Sequence, residues 1–368
     1  MNFNTRQKKV IEAKDKHILC LASAGSGKTT TLIERVKQLI LKGTNPEKIV
    51  CISFTNMAAD EIKKKLGDIS IGMFVGTVHS YANLICVSNG LDTSQYTLDM
   101  AFDKILEKAL TLPKKAFPKI EHLLVDEFQD ISSLEFRFLE RIPTENFLAI
   151  GDNRQNIYQF RGCTDQYLQY LYENEDVAKY YLSDSYRCAP NILRFADKLI
   201  ASSKKMSPPP QAIKTKNGVI EECGFGDALE ELEWAQDWGN WCIICRTNNE
   251  LATAITRLEN KHIPCVSFKK GDLDLIEMEA LLRDNRVKIL TVHSSKGLEF
   301  KKVIVVGAKT FNEEERKIAY VAATRAEQYL YWCPSICGRG KKNRPANRDI
   351  ADAGNIHKKM AKTMMSFE

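Results

Sequence analysis

No stretch of this 368-residue chain stays apolar for the roughly 20 residues that a bilayer-spanning helix needs, which argues against a membrane partner. The opening residues, Met1-Asn2-Phe3-Asn4-Thr5-Arg6-Gln7, lack the apolar core of a secretory signal, so an intracellular protein is expected. The eleven cysteines have no regular spacing and read as reduced thiols rather than a disulfide framework. Cys242-Ile243-Ile244-Cys245 has the spacing of a redox pair, but its apolar run reads as a buried strand. Repeats with periods of about 20–50 residues are missing, which excludes a solenoid. The net charge of +6 is compatible with a polyanionic partner and too small to argue for one alone.

What remains is an ordinary globular composition, 44% hydrophobic, enough for two or three cores. Strand patterns at 17–22, 48–54, 120–126, 146–151, 178–182, 219–225, 241–246, 286–292 and 302–307 alternate with helical ones. That alternation is the mark of α/β folds with parallel sheets. A boundary falls near 180. Ser207-Pro208-Pro209-Pro210-Gln211 looks like a linker but lies inside the second half, and the tail from 338 to 368 is basic and weakly patterned.

The strongest local signal is Ala22-Ser23-Ala24-Gly25-Ser26-Gly27-Lys28-Thr29, between an apolar strand and a helix expected over Thr30 to Leu41. Glycines in that context let backbone N–H groups and a helix N-terminus wrap an anion. Lys28 supplies charge for the outer phosphates and Thr29 a hydroxyl for Mg²⁺. Ala22 stands where the strict pattern has glycine. The second signal is Leu123-Leu124-Val125-Asp126-Glu127-Phe128-Gln129-Asp130, an apolar strand delivering two acids to a sheet edge. There Asp126 suits Mg²⁺ and Glu127 suits activation of a water.

With these strings the chain resembles the UvrD/Rep/PcrA group of superfamily 1 helicases. Phe54-Thr55-Asn56 with Ala58-Ala59, Gly76-Thr77-Val78-His79-Ser80, and Gly151-Asp152-Asn153-Arg154-Gln155-Asn156-Ile157-Tyr158-Gln159-Phe160-Arg161-Gly162 follow the family's order. Ser185-Tyr186-Arg187, Thr291-Val292-His293-Ser294-Ser295-Lys296-Gly297-Leu298-Glu299-Phe300 and Tyr320-Val321-Ala322-Ala323-Thr324-Arg325-Ala326 complete it. The match spans about residues 3 to 332.

The resemblance implies two RecA-like domains, 1–180 and 181–337, with ATP and Mg²⁺ in the cleft between them. Gln7 would read the adenine edge, since an amide offers both a donor and an acceptor. Ala24, Gly25, Ser26, Gly27, Lys28, Thr29 and Thr30 would cradle the phosphates, and Thr29 and Asp126 would hold the metal. Tyr186 would stack on the base and Glu299 would contact the ribose. Gln155 would sense the γ-phosphate, and Arg187 and Arg325 would reach it across the cleft.

The same resemblance places Phe54, Thr55, Asn56, His79, Tyr158, Phe160, Arg161, Thr291 and His293 along single-stranded DNA. Phe160 stands where relatives usually carry Trp. Length is the main departure. Fewer than 50 residues separate His79 from Asp126 (a short insertion at about 83–118), room for one or two helices, and only about 15 separate Gly271 from Arg286. The expectation is therefore a stripped, 3′–5′ ATP-dependent DNA helicase or translocase acting on single-stranded or tailed duplex DNA. A protein partner would supply unwinding or loading. A translocase that strips proteins from DNA and an ATP-gated DNA-binding or loading factor are the alternatives. No acidic cluster beyond Arg325 suggests a nuclease, and pathway, DNA against RNA, and oligomeric state stay open.

Overall fold

The computed structural model describes residues 2–201, 206–269 and 272–336; the basic stretch 338–368 lies outside them. The chain begins with α1 (Thr5–Glu12), β1 (His17–Ala22), α2 (Lys28–Leu41), β2 (Ile49–Ile52), α3 (Asn56–Leu66) and β3 (Phe74–Gly76). Next come α4 (Val78–Ser88), α5 (Ser94–Leu98), α6 (Phe102–Thr111), β4 (Ile120–Val125) and α7 (Ser133–Leu139). Then follow β5 (Thr144–Gly151), α8 (Gln166–Glu173), β6 (Ala178–Leu182), β7 (Asp184–Ser185), α9 (Pro190–Leu199) and β8 (Gln211–Ala212). The second half holds β9 (Val219–Glu222), α10 (Phe225–Glu233), β10 (Trp241–Cys245), α11 (Asn248–Asn260) and β11 (Cys265–Ser267). It ends with α12 (Leu275–Arg283), β12 (Val287–Thr291), α13 (Val292–Ser295), β13 (Phe300–Val306), α14 (Glu313–Ala323) and β14 (Ala326–Cys333).

Two six-stranded sheets organise these elements, ordered β3-β2-β4-β5-β1-β6 and β11-β12-β10-β13-β14-β9. Every pairing within them is parallel. This is the expected α/β architecture of two RecA-like units. The sheets are parallel because their strands are apolar on both faces. In β1, Leu19 and Leu21 enter one core while Ile18, Cys20 and Ala22 enter the core on the opposite face. In β10, Cys242 and Ile244 face one core and Trp241, Ile243 and Cys245 the other. Strands buried on both sides read as continuous hydrophobic runs, each large side chain contributing about 1.5–3 kcal/mol of burial. Cys242 and Cys245 are accordingly core residues, and burial raises both thiols.

Several elements depart from the sequence reading. β3, β7, β8, β11 and β14 join the nine expected strand regions, and α2 starts two residues early, at Lys28. The segment between His79 and Asp126 holds three helices, α4 to α6, rather than one or two, because α5 is a single compact turn. The Pro-rich stretch is no free linker. Met206 is buried in the core of the first sheet, and β8 pairs with β7. One core cluster crosses between the units, joining Ala24, Met57 and Ile157 to Leu290, Val292 and Tyr320. The loops at the carboxyl ends of β1 and β5 in the first sheet thus pack against the second unit, where crevice sites of α/β proteins form.

Candidate functional site: a nucleotide cleft beside an aromatic row

The loop after β1 turns through two left-handed glycines, Gly25 at φ 71° and Gly27 at φ 78°. A Cβ on Gly25 would lie 2.5 Å from Arg187 Cβ, and one on Gly27 would lie 2.9 Å from Gln7 Nε2. Both dihedral and space therefore demand glycine. Gly27 caps α2, leaving the first N–H groups of that helix directed outward. The loop is fastened from behind: Tyr186 N donates to Gly25 O at 2.9 Å and Ser185 Oγ to Ala24 O at 2.8 Å.

A cleft of about 860 Å³ opens above this loop. It is lined by Gln7, Gly25, Ser26, Gly27, Lys28, Thr29, Thr30 and Glu127 from the first unit, and by Gln155, Tyr186, Arg187, Glu299 and Arg325 from around it. Residues from seven separate segments thus converge. Ala24 is buried behind the loop, and Asp126 lies beneath it, its Oδ2 accepting from Thr29 Oγ1 at 2.9 Å. A hydroxyl and a carboxylate are hard oxygen donors of the kind Mg²⁺ takes.

The two acids behave oppositely. Burial, then the neighbouring Glu127 charge, raises Asp126 from 3.8 to about 6. Burial also pushes Glu127 upward, but Lys28, Lys296, a hydrogen bond from Gln129 and Arg325 together outweigh it and hold it below the ordinary range. Lys28 Nζ lies 3.7 Å from Glu127 Oε1, and Gln129 Nε2 donates to Oε2 at 2.5 Å. Glu127 is left-handed at φ 52°, strain that is characteristic of functional positions. The site thus keeps one ionised carboxylate beside another whose charge the protein compensates poorly.

That imbalance has a stability consequence. The folded protein keeps a proton on Asp126 to higher pH than the unfolded chain does. The stability this lends is present below pH 3.8 and is lost as pH rises through about 6. Asp126→Asn is expected to raise the melting temperature without nucleotide at pH 7.5 by about 2–4 °C. The gain should vanish below the aspartate range; an equal gain at pH 3.5 would contradict it.

Arg325 is 1% exposed at the end of α14 and donates to Val321 O and Leu298 O, each at 3.0 Å. Its Nη2 lies 3.4 Å from Gln155 Oε1, whose own amide donates to Asp152 Oδ2 at 2.7 Å. Burial, then the like charge of Arg187, lowers Arg325 to about 9, which leaves it charged at neutral pH. Arg187 Nε donates to Glu299 Oε2 at 2.6 Å. Two guanidinium groups facing Lys28 across one cleft form a place for a polyanion.

Gln7 and Tyr186 are tied in before any ligand. Gln7 Oε1 accepts from Asn4 N at 3.0 Å and its Nε2 donates to Ser26 O at 3.1 Å. Asn4, absent from the sequence-derived site, donates from Nδ2 to Tyr186 Oη at 2.8 Å and to Asp184 Oδ2 at 3.0 Å.

Beside the cleft runs an aromatic row. Phe54 and Tyr158 have ring centroids 5.0 Å apart, Tyr158 and His293 5.7 Å, and Phe160 and His293 5.3 Å, with Arg161 over Phe54 at 5.7 Å. The row bridges both units, and His293 is anchored to Ile157 O at 3.0 Å. Burial lowers His293, so it is neutral at pH 7. Thr55 caps α3 and Thr291 caps α13, each accepting from a helix N–H, while Asn56 opens α3. His79 stands apart from the row. Its ring nitrogens face Asp103 Oδ1 at 3.1 Å and Glu135 Oε1 at 3.7 Å, near Phe102 of α6.

Lys296, inside a motif but assigned no role from sequence, connects row and cleft. Its Nζ pairs with Asp130, donates to Gln155 O at 2.9 Å and sits 4.9 Å from the Tyr158 ring. Burial raises Asp130 to about 7 against the pull of Lys296. Also unforeseen, Leu275, Met278 and Leu282 of α12 line one end of the cleft opposite Lys64. Lys64 Nζ meets Glu279 Oε1 at 2.7 Å across it. No motif string covers α12.

A family model described as an AAA domain matches residues 7–161, and one described as a UvrD-like helicase C-terminal domain matches residues 269–334. The chain is 27% identical over 367 residues to a protein of Acanthamoeba polyphaga mimivirus named as an ATP-dependent DNA helicase, covering 87% of this chain and 51% of that one. It is 23% identical over 323 residues to the Gabija protein GajB of Bacillus cereus (74% and 65%). With DNA helicase II of Escherichia coli it shares 23% over 292 residues (55% and 41%). The chain therefore spans about two fifths to two thirds of the length of these relatives. No described helix is long and apolar enough to cross a membrane.

Proposed function

We propose that the chain is a UvrD-like helicase of superfamily 1, an ATP-dependent DNA motor that moves 3′ to 5′ along single-stranded DNA. The observation that carries the proposal is one cleft in which Lys28 and Glu127 of the first unit face Arg187 and Arg325, wired through Lys296 to an aromatic row. In this reading the loop amides and Lys28 hold the phosphates. Glu127 takes a proton from the attacking water, and the two arginines stabilise charge on the transferring phosphoryl oxygens. Thr29 and Asp126 would hold Mg²⁺, which would supply charge neutralisation at the phosphates. Tyr186 and Gln7 receive the base, and Glu299 the ribose once Arg187 turns to phosphate.

The halves 1–180 and 181–337 close on nucleotide and reopen after hydrolysis. Phe54, Tyr158 and Phe160 belong to one half and His293 to the other, so each cycle changes the spacing of the row along the strand. Thr55, Asn56, Arg161 and Thr291 hold its backbone, while aromatic faces accept any base. His79 marks the far end of the track, beside the short α4–α6 insertion. In this compact architecture a protein partner supplies the wedge for strand separation.

Direction is tested with streptavidin on biotinylated oligonucleotides. ATP-dependent displacement from the 5′ end alone is expected; displacement from the 3′ end alone, with ATP consumed, contradicts the assignment. The row has its own test. Phe160 is 67% exposed, so Phe160→Ala should leave folding intact and weaken single-stranded DNA binding by about 1–3 kcal/mol, read by fluorescence anisotropy. Unchanged affinity would remove Phe160 from the track.

A further inference from the structure

Arg154 is a buried charge that the proposed chemistry leaves unused. It is 2% exposed, and no salt bridge to a carboxylate is found for it among the described residues. Its guanidinium donates instead to three uncharged acceptors: Nη1 to Ser23 Oγ at 3.3 Å, Nη2 to Ser207 O at 3.1 Å and to Pro208 O at 3.0 Å. A buried guanidinium is costly unless such acceptors are held in place, so the contact pins both sides.

Its neighbours give that pin a direction. Arg154 and Gln155 are consecutive on one tight turn, Asn153–Gln155, closed by Asp152 Oδ1 accepting from Arg154 N at 3.1 Å. Gln155 projects into the nucleotide cleft toward Arg325, whereas Arg154 reaches the Pro-rich strap behind it. The strap leads into β8, where Gln211 N donates to Ser183 O at 2.7 Å and Ile213 N to Ser185 O at 2.9 Å. The next residues, Tyr186 and Arg187, form the cleft wall, and Tyr186 N returns to Gly25 O of the phosphate loop. A closed mechanical circuit therefore runs from turn to strap, to β7, to the phosphate loop, and through Ser23 back to Arg154. Three successive prolines, fixed in φ, keep the strap stiff enough to transmit a shift.

We propose that Arg154 is a positioning residue that couples the γ-phosphate-facing Gln155 to Tyr186 and Arg187 through the strap at residues 206–213. The proposal rests on the nucleotide-cleft reading above. Engagement of Gln155 moves the turn, Arg154 carries the movement to Ser207 and Pro208, and β8 sets Arg187 against the phosphate. Arg154→Lys keeps the charge and one hydrogen bond but loses the fork that holds two carbonyls and a hydroxyl together.

The test is hydrogen–deuterium exchange of full-length wild type, Arg154→Lys and Arg154→Met, with and without a non-hydrolysable ATP analogue and Mg²⁺. Melting curves run alongside, and only folded variants are compared. In wild type the analogue should slow exchange in peptides over residues 23–30 and also at Gln211 and Ile213. In Arg154→Lys, residues 23–30 should stay protected while strap protection falls at least threefold. ATP turnover should fall roughly tenfold, with and without DNA. Arg154→Met should show the same split, and a merely structural role would instead lower melting temperature without separating the two regions. Protection at 23–30 without strap protection in wild type overturns the coupling and leaves the nucleotide reading intact. So does a strap response unchanged in both variants. Absence of protection at 23–30 in wild type overturns the nucleotide reading, and the coupling with it.

Discussion

Glu127→Gln is expected to lower DNA-stimulated ATP turnover by about 10³-fold, within the range for loss of a general base, while ATP affinity changes less than threefold. The amide keeps the size of the carboxylate and still offers an oxygen to Gln129 Nε2, so the left-handed turn at Glu127 should survive. What disappears is the proton acceptor. Lys28, Lys296 and Arg325 hold that carboxylate ionised against its burial, and an ionised group facing the cleft is what the attacking water needs. Steady-state kcat with fluorescent-nucleotide binding separates the outcomes. A loss below tenfold would move the base elsewhere, and a matching loss of affinity would make Glu127 a binding residue.

Arg325→Ala should cost about 10³-fold or more in kcat, the scale of an arginine finger, again with nucleotide binding retained. Arg325 is held by backbone carbonyls of Leu298 and Val321 rather than by a carboxylate, and the like charge of Arg187 adds to its cost of burial. Such a charge is stabilised most when an anion arrives between the two arginines. Truncation also removes the donor to Leu298 O, a cost of roughly 1–3 kcal/mol, so a lower melting temperature is expected alongside. Arg325→Lys should restore part of the stability and little of the rate, because an ammonium lacks the planar fork. If the lysine variant recovered full turnover, charge alone would suffice and the finger geometry would be wrong.

Much of the cleft was legible because its parts are contiguous strings with local physics. The phosphate loop needs two left-handed glycines before a helix, and Asp126-Glu127 needs an apolar strand beneath it. That Gln7, Arg187, Glu299 and Arg325 would join them came from the family resemblance, since no periodicity pairs residues more than a hundred positions apart. Strands were found where both faces are buried, as in β1 and β10. β3 and β11 are too short for a pattern, and β14 opens with polar Glu327 and Gln328, which hid its apolar end. Asn4, Arg154 and Lys296 escaped notice because polar residues inside a string look alike until their partners are known. Their partners, Tyr186, Pro208 and Asp130, lie 182, 54 and 166 residues away. α12 escaped because its segment carries no motif, although Met278 and Leu282 line the cleft.

The most direct test of the central claim is ATP hydrolysis with Mg²⁺, with and without single-stranded DNA, using Lys28→Ala as the blank. A strong rise in turnover on adding DNA, absent in the blank, is the predicted result. Equal turnover with and without DNA, in wild type whose Lys28→Ala variant is inactive, would contradict a motor in which the Tyr158–Lys296–Gln155 contacts join strand to cleft.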